Sequence, residues 1–289
     1  MKNEVNEPTI ETTVERYQAG TMNRRELIKT VIGITGSYAA AHLLLESTGL
    51  SANLISTVEA QAAGVDAETI HYPSGRVSIE GYLAKPQGTG KFPAIVVIHE
   101  NRGLNEHIRD VARRFAGEGF VALAPDLLSR AGGTASMKTV PEATAAIGRQ
   151  PVWDLVGDLR EGVAYLAKHP AVDAQKISSI GFCWGGWRSF TLATQVPTLY
   201  RAVVFYGSTP DVGLESIHAP VLAHYASRDR AITGNAPWTA REMKRLGKPY
   251  TYYIYDDSGH AFFNDTNVPA HNPAAAKLAW TRTLQFLRG

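Results

Sequence analysis

A single cysteine, Cys183, occurs in 289 residues, so the chain can form no internal disulfide and lacks the clustered thiols of a structural zinc site. Its nine histidines are scattered, and neither a metal nor any other cofactor is expected. An excess of either charge is missing too. Lysine and arginine total 29 against 27 acidic residues, a formal +2, and beyond Arg24-Arg25 no basic run stands out, which argues against nucleic acid as a partner. Long apolar runs are also absent. The uncharged stretch from Thr30 to Leu45 stops against Glu46, short of the roughly 18 to 20 residues a membrane helix wants, so stable membrane insertion is not expected. With 44% hydrophobic and 19% charged residues, the composition is that of a soluble domain acting on a small molecule, as a monomer or homodimer.

Residues 1–62 are a different kind of sequence from the rest. Arg24 and Arg25 precede Leu27, Ile28, Lys29 and the uncharged stretch, and Ala60-Gln61-Ala62 supplies an A-x-A cleavage site. The pattern resembles a twin-arginine export leader, which implies a periplasmic or secreted protein whose body is residues 63–289. Glu4, Glu7, Glu11 and Glu15 run against that pattern. The alternative is an amphipathic N-terminal helix retained on a cytoplasmic protein.

In the body, short apolar runs bounded by turn residues alternate with segments of helical period, the signature of βαβ units. Strands are expected at 69–72, 77–84, 94–99, 120–125, 176–182, 201–207, 220–226 and 250–256, the first two as an antiparallel edge hairpin. AIVVI and AVVFY are continuously apolar, as buried parallel strands are. Helices are expected at 106–118, 152–168, 185–195, 236–246 and 273–287, the last with Leu278, Leu284 and Leu287 on one stripe. The Gly/Thr/Ser-rich piece from Ala131 to Val140 reads as a surface loop. The fold class is α/β: a mostly parallel sheet of about eight strands with helices on both faces.

GFCWGG, residues 181–186, follows the apolar run KISSIGF and precedes a helical segment. That is the strand, nucleophile, helix order of the G-x-S-x-G elbow of the α/β-hydrolase fold, with sulfur in place of oxygen. Glycines flanking the nucleophile allow a strained turn and close approach of strand to helix. The helix amino terminus is expected to favour the thiolate. In this fold the acid and then the histidine follow along the chain. Asp229 comes after PVLAHYA and His260 after YTYYIYD, where that order asks for them. Asp211 is the second choice for the acid. His224 inside a strand, His271 in a polar loop, and Asp256 and Asp257 beside His260 are weaker candidates. Glu100 ends an apolar strand, where a carboxylate needs a partner.

In HENRGL, APDLL, GFCWGG, the Asp229 loop and GHAFFND, the chain resembles the dienelactone hydrolases (carboxymethylenebutenolidases) from about residue 65 onward. The resemblance implies a triad of Cys183, Asp229 and His260, an oxyanion hole from the backbone N–H groups of Trp184 and Asn101, and a Glu100 that meets the thiol when substrate arrives. One position departs. The family pattern has an arginine four residues after the histidine to grip a substrate carboxylate, and Asn264 stands there. Arg102 or Arg130 is the candidate replacement, while Trp187, Phe262 and Phe263, with Trp184, are candidates to line a more apolar pocket.

Sulfur restricts the substrate. A thiolate leaves a tetrahedral intermediate more readily than an ordinary alkoxide, so only esters with stabilised leaving oxygens, such as enol lactones or aryl esters, go forward. Alternatives to enol-lactone hydrolysis are a general carboxylesterase on other activated esters, a thiol redox protein on the same fold, and a binding module that has lost catalysis.

Overall fold

The computed structural model describes residues 9–19, 21–22, 24–35 and 64–289. The chain divides into two compact units, Met1–Val65 and Asp66–Gly289.

In the first unit, Thr9 caps helix α1 (Ile10–Gln18) by accepting from Thr12 N–H at 3.3 Å, while the Thr12 hydroxyl accepts from Thr9 N–H at 3.1 Å. This reciprocal box satisfies two of the donors that a helix start leaves unpaired. Helix α2 (Arg24–Thr35) contains the twin arginines and the start of the uncharged stretch. The rest of that stretch and the expected cleavage site at Ala60-Gln61-Ala62 lie outside the described residues. Among the described residues no helix is long and apolar enough to cross a membrane.

The second unit is built on one eight-stranded sheet in the order β1-β2-β4-β3-β5-β6-β7-β8. The strands are β1 (Val65–Ser74), β2 (Val77–Pro86), β3 (Phe92–Ile98), β4 (Val121–Pro125), β5 (Val172–Phe182), β6 (Ala202–Phe205), β7 (Val221–Ala226) and β8 (Tyr250–Tyr255). The chain reverses between β1 and β2 through Gly75 and Arg76, and β2 runs antiparallel to β4. From β4 to β8 every pairing is parallel. All eight expected strands are present, with bounds displaced by a few residues. The alternation expected of the hairpin holds only in part, because Gly81 to Ala84 of β2 are all buried beside β4.

The connecting helices are α3 (Glu106–Gly117), α4 (Val140–Gly148), α5 (Val152–Lys168), α6 (Trp184–Gln195), α7 (Arg230–Thr233), α8 (Ala236–Arg245) and α9 (Pro273–Arg288). Strand parity sorts the core into two layers. Ala94, Val96 and Ile98 of β3 join one cluster with Leu155 and Leu159 of α5, Phe190 of α6 and Met243 of α8. The opposite face meets α3 and α9: His224 of β7 bonds Thr283 of α9, and Phe115 of α3 packs on Trp280 with ring centroids 4.5 Å apart. Each fully buried Leu, Ile or Phe contributes about 1.5–3 kcal/mol, so buried packing on the two faces rather than surface pairs holds the sheet. Within α9 the expected leucine stripe is incomplete. Leu284 and Leu287 are buried, but Leu278 is 45% exposed and Ala275, Ala279 and Thr283 fill the inward row instead. Small side chains there allow the helix to lie close against the sheet.

β4 and β5 lie on opposite sides of β3, so the chain switches direction across the sheet between β3 and β5. Loops leaving the carboxyl ends of those two strands diverge and open a crevice, the usual place for a ligand site in an open parallel sheet.

Candidate active site

Cys183 leaves β5 at this switch point with φ 56° and ψ −118° and serves as the N-cap of α6. A non-glycine residue held there is strained, and such strain is found chiefly where a side chain must be presented rather than packed. The framing glycines explain how the turn is possible. A Cβ on Gly181 would lie 1.9 Å from Gly185 O, and one on Gly185 would lie 2.3 Å from His99 O. Strand, helix and the loop after β3 therefore touch backbone to backbone, which leaves room for no larger residue.

His260 follows β8, and its Nε2 lies 2.9 Å from Cys183 Sγ. Its Nδ1 donates to Asp229 Oδ2, after β7, at 2.5 Å. The two loops are tied by Arg228 N–H to Ser258 O at 3.0 Å. The hydrogen bond to Cys183 is the main cause that raises His260 to about 9, against the opposing effect of burial, with Asp229 adding to the rise. One face of the imidazole is covered by Tyr206, at 5.2 Å between ring centroids. Tyr206 is itself in a positive-φ conformation (38°) at the end of β6, and its buried hydroxyl has no partner among the described residues. Burial and the neighbouring Glu100 hold that phenol well above its usual range, so it stays protonated.

Glu100 is 4% exposed. Its Oε2 accepts from Asn264 Nδ2 at 3.0 Å, and its Oε1 is buried without a partner among the described residues. Asn264 is in turn locked, since its Oδ1 accepts from Thr266 N–H at 3.1 Å and from the Thr266 hydroxyl at 2.7 Å. Asn264 thus spends its amide on Glu100 rather than facing an open pocket, and no hydrogen bond joins Glu100 to the thiol among the described residues. The loop after β3 is braced from the other side by Asp126. That carboxylate accepts from Thr134 N–H at 2.6 Å and from its hydroxyl at 2.7 Å, and the same hydroxyl accepts from Leu104 N–H at 2.8 Å.

The remaining expected substrate contacts divide. Arg102 is exposed and makes no hydrogen bond or ion pair among the described residues. Arg130 is committed elsewhere, with Nε and Nη2 on the buried Asp158 at 2.8 and 2.7 Å, so it is no substrate grip. Phe262 and Phe263 are fully buried among Phe182, Phe205 and Trp280. They are core, not pocket lining, because the chain turns inward straight after His260 through Ala261 at φ 65°. Trp184 and Trp187 are half-buried and hold Arg188 between them, its guanidinium 4.7 and 3.8 Å from the two rings. Burial lowers Arg188 to about 10. Of the weaker candidates, His224 is fully buried and bonded to Tyr255 and Thr283, His271 bonds Phe262 O, Asp257 pairs with Arg228, and Asp211 is exposed. No group of three or more His, Cys, Asp or Glu side chains that could hold a metal occurs among the described residues.

Sequence reasoning did not anticipate His99, Asp126, Thr134, Tyr206 or Arg188 in this neighbourhood. His99 and Tyr206 carried a weak signal, a polar group at the end of a buried strand. Thr134 carried none, because its loop is anchored only by contacts across the fold.

An eight-stranded, mostly parallel sheet with an elbow cysteine, a histidine and an aspartate at its carboxyl edge defines an α/β hydrolase. Residues 79–289 match the sequence model of the dienelactone hydrolase family. The chain belongs to that family and is a hydrolase of its type. A Salmonella typhi protein named as a carboxymethylenebutenolidase is 33% identical over 243 residues, covering 75% of this chain and 89% of its own. A Methylorubrum extorquens protein of the same name is 29% identical over 282 residues and 93% of each chain. Among solved structures, one named as a dienelactone hydrolase from Klebsiella pneumoniae superposes with a TM-score of 0.72 at 28% identity, over 78% of this chain and 98% of that one.

Proposed function

We propose that the protein is a cysteine hydrolase that opens activated esters or enol lactones through an acyl-cysteine intermediate. The observation that supports this most directly is the relay from Asp229 through His260 to Cys183, at 2.5 and 2.9 Å, on a strained elbow. Sγ attacks the carbonyl carbon with the proton it shares with His260 already on Nε2, and the imidazolium is held by Asp229. The carbonyl oxygen becomes an oxyanion between the N–H groups of Trp184 and Asn101. Trp184 is the first residue of α6, so its N–H has no partner four residues back in the helix.

Collapse of the tetrahedral adduct re-forms the carbonyl and breaks the bond to the leaving oxygen. That oxygen departs as an enolate or aryloxide and collects the proton from His260. A water then gives its proton to His260 and attacks the thioester, and release of the acid restores Cys183 beside protonated His260. Because sulfur is itself a good leaving group, simple alkyl esters revert and activated ones proceed. Glu100, resting against Asn264 with its Oε1 unpartnered among the described residues, is buried beside this relay and is available to a substrate that displaces that contact.

The test is intact-mass measurement during turnover of an aryl ester. A transient acyl adduct on the wild type, absent from Cys183→Ala, supports the mechanism. Rapid peroxide consumption without any adduct would point instead to thiol redox chemistry.

A further inference from the structure

His99 is the first residue beyond β3, fully buried, and takes no part in the proton relay. Both of its ring nitrogens are used, and their partners fix its tautomer. Leu127 N–H donates to Nε2 at 3.1 Å. A backbone amide can only donate, so Nε2 is the lone-pair nitrogen and Nδ1 carries the hydrogen. Nδ1–H donates to Glu100 O at 2.6 Å. Burial lowers the pKa of the ring and outweighs the opposing pull of Asp126, so it stays neutral with this arrangement intact.

The carbonyl of Glu100 and the N–H of Asn101 belong to one planar trans peptide and point in opposite directions. Whatever holds that oxygen also aims that N–H. A second, longer bond from Gly103 N–H at 3.4 Å reaches the same oxygen, but it comes from within the loop and cannot anchor the loop to the sheet. The side chain that ties this carbonyl to the exit of β4 is His99, through Leu127, while the Asp126–Thr134 brace holds the loop further along at Leu104. Its ring also stacks on Trp184 at 6.0 Å and 12°, beside the other oxyanion donor, and its carbonyl lies against Gly185.

We infer that His99 is a positioning residue for the oxyanion hole: its Nδ1–H pins the Glu100–Asn101 peptide so that Asn101 N–H faces the developing oxyanion. The role rests on the acyl-cysteine mechanism proposed above, and it concerns only steps in which a carbonyl oxygen gains charge. Alkylation of the same sulfur by iodoacetamide is a displacement at carbon and forms no oxyanion, so the two reactions separate the role from general damage to the elbow.

The experiment compares the wild type, His99→Leu and His99→Asn in two assays: the pre-steady-state acylation rate with an aryl ester, and the alkylation rate of Cys183. Full loss of one oxyanion donor costs on the order of 100- to 1000-fold. A donor released rather than deleted should cost His99→Leu about 10- to 100-fold in acylation, with KM little changed and alkylation within about twofold of wild type. His99→Asn places an amide N–H where Nδ1 stood and should recover acylation to within about fivefold of wild type. Wild-type acylation in His99→Leu would overturn the inference, as would alkylation falling in step with acylation. Should the leucine variant not fold, a folded His99→Asn that has lost 10-fold or more in acylation overturns it equally. Absence of an acyl adduct on the wild type itself would bring down the underlying mechanism, an outcome distinct from failure of the His99 variants alone.

Discussion

Replacing Asn264 by Asp tests the buried, singly partnered Glu100 more sharply than any deletion, because the two side chains have the same shape. The contacts from Thr266 N–H and its hydroxyl to Oδ1 can persist, so the change falls on the Glu100 side alone. There a 3.0 Å hydrogen bond to the buried Oε2 becomes a contact between two carboxylates. A hydrogen bond to a charged group is worth about 1.5–3 kcal/mol. Two like charges at this separation repel by about 5 kcal/mol at an effective dielectric near 20. In the folded variant the pair escapes most of that repulsion by binding one shared proton.

The expected loss for Asn264→Asp is therefore about 3 kcal/mol near neutral pH, or roughly 6–12 °C in Tm for a unit of this size. The sign with pH follows from the proton. The folded variant retains one that its unfolded chain releases above about pH 4–4.5, so the variant's stability relative to wild type falls as pH rises from 5 to 8. Urea unfolding of both proteins across that range measures the difference. Adding Glu100→Gln should restore most of the loss, with the new amide donating to the carboxylate at 264. A variant within about 0.5 kcal/mol of wild type from pH 5 to 8 would refute the reasoning, since surface substitutions commonly fall in that range.

Two other outcomes follow from the same geometry. His260, held at about 9 chiefly by its bond to Cys183, should titrate by NMR well above 6.5 in the wild type, drop furthest in Cys183→Ala and less in Asp229→Asn. Because its folded pKa is raised, its stabilising contribution is complete below about pH 6.5 and lost as pH rises through about 9. Arg130→Ala strips the buried Asp158 of its bidentate partner and should cost about 3–5 kcal/mol in unfolding free energy. It should leave KM unchanged, and a large rise in KM with full stability would return Arg130 to the substrate pocket.

Much of this site was legible because chain order and local chemistry carried it. Glycines at 181 and 185, with an apolar strand before and a helix after, announce an elbow, since only a backbone without Cβ permits those contacts. Asp229 and His260 stand out because in a parallel sheet the residues just past consecutive strands must surface along one edge. The helix at 230–233 and the one at 140–148 were not anticipated. The first is one turn long, and the second starts inside a stretch whose Gly, Ser and Thr content signals only a loop.

What the sequence determined by itself is the list of strands, their direction, and the three residues brought to the sheet's carboxyl edge, because hydrophobic period and turn residues encode these locally. Which polar residues serve that edge was decided only by the tertiary structure. Asn264 could be placed as a substrate contact until its amide was seen on Glu100, Arg130 until Asp158 took it, and Phe263 until the aromatic core closed over it. Those assignments depend on partners 28 to 164 positions away along the chain, and no local pattern records which side of a loop will meet them.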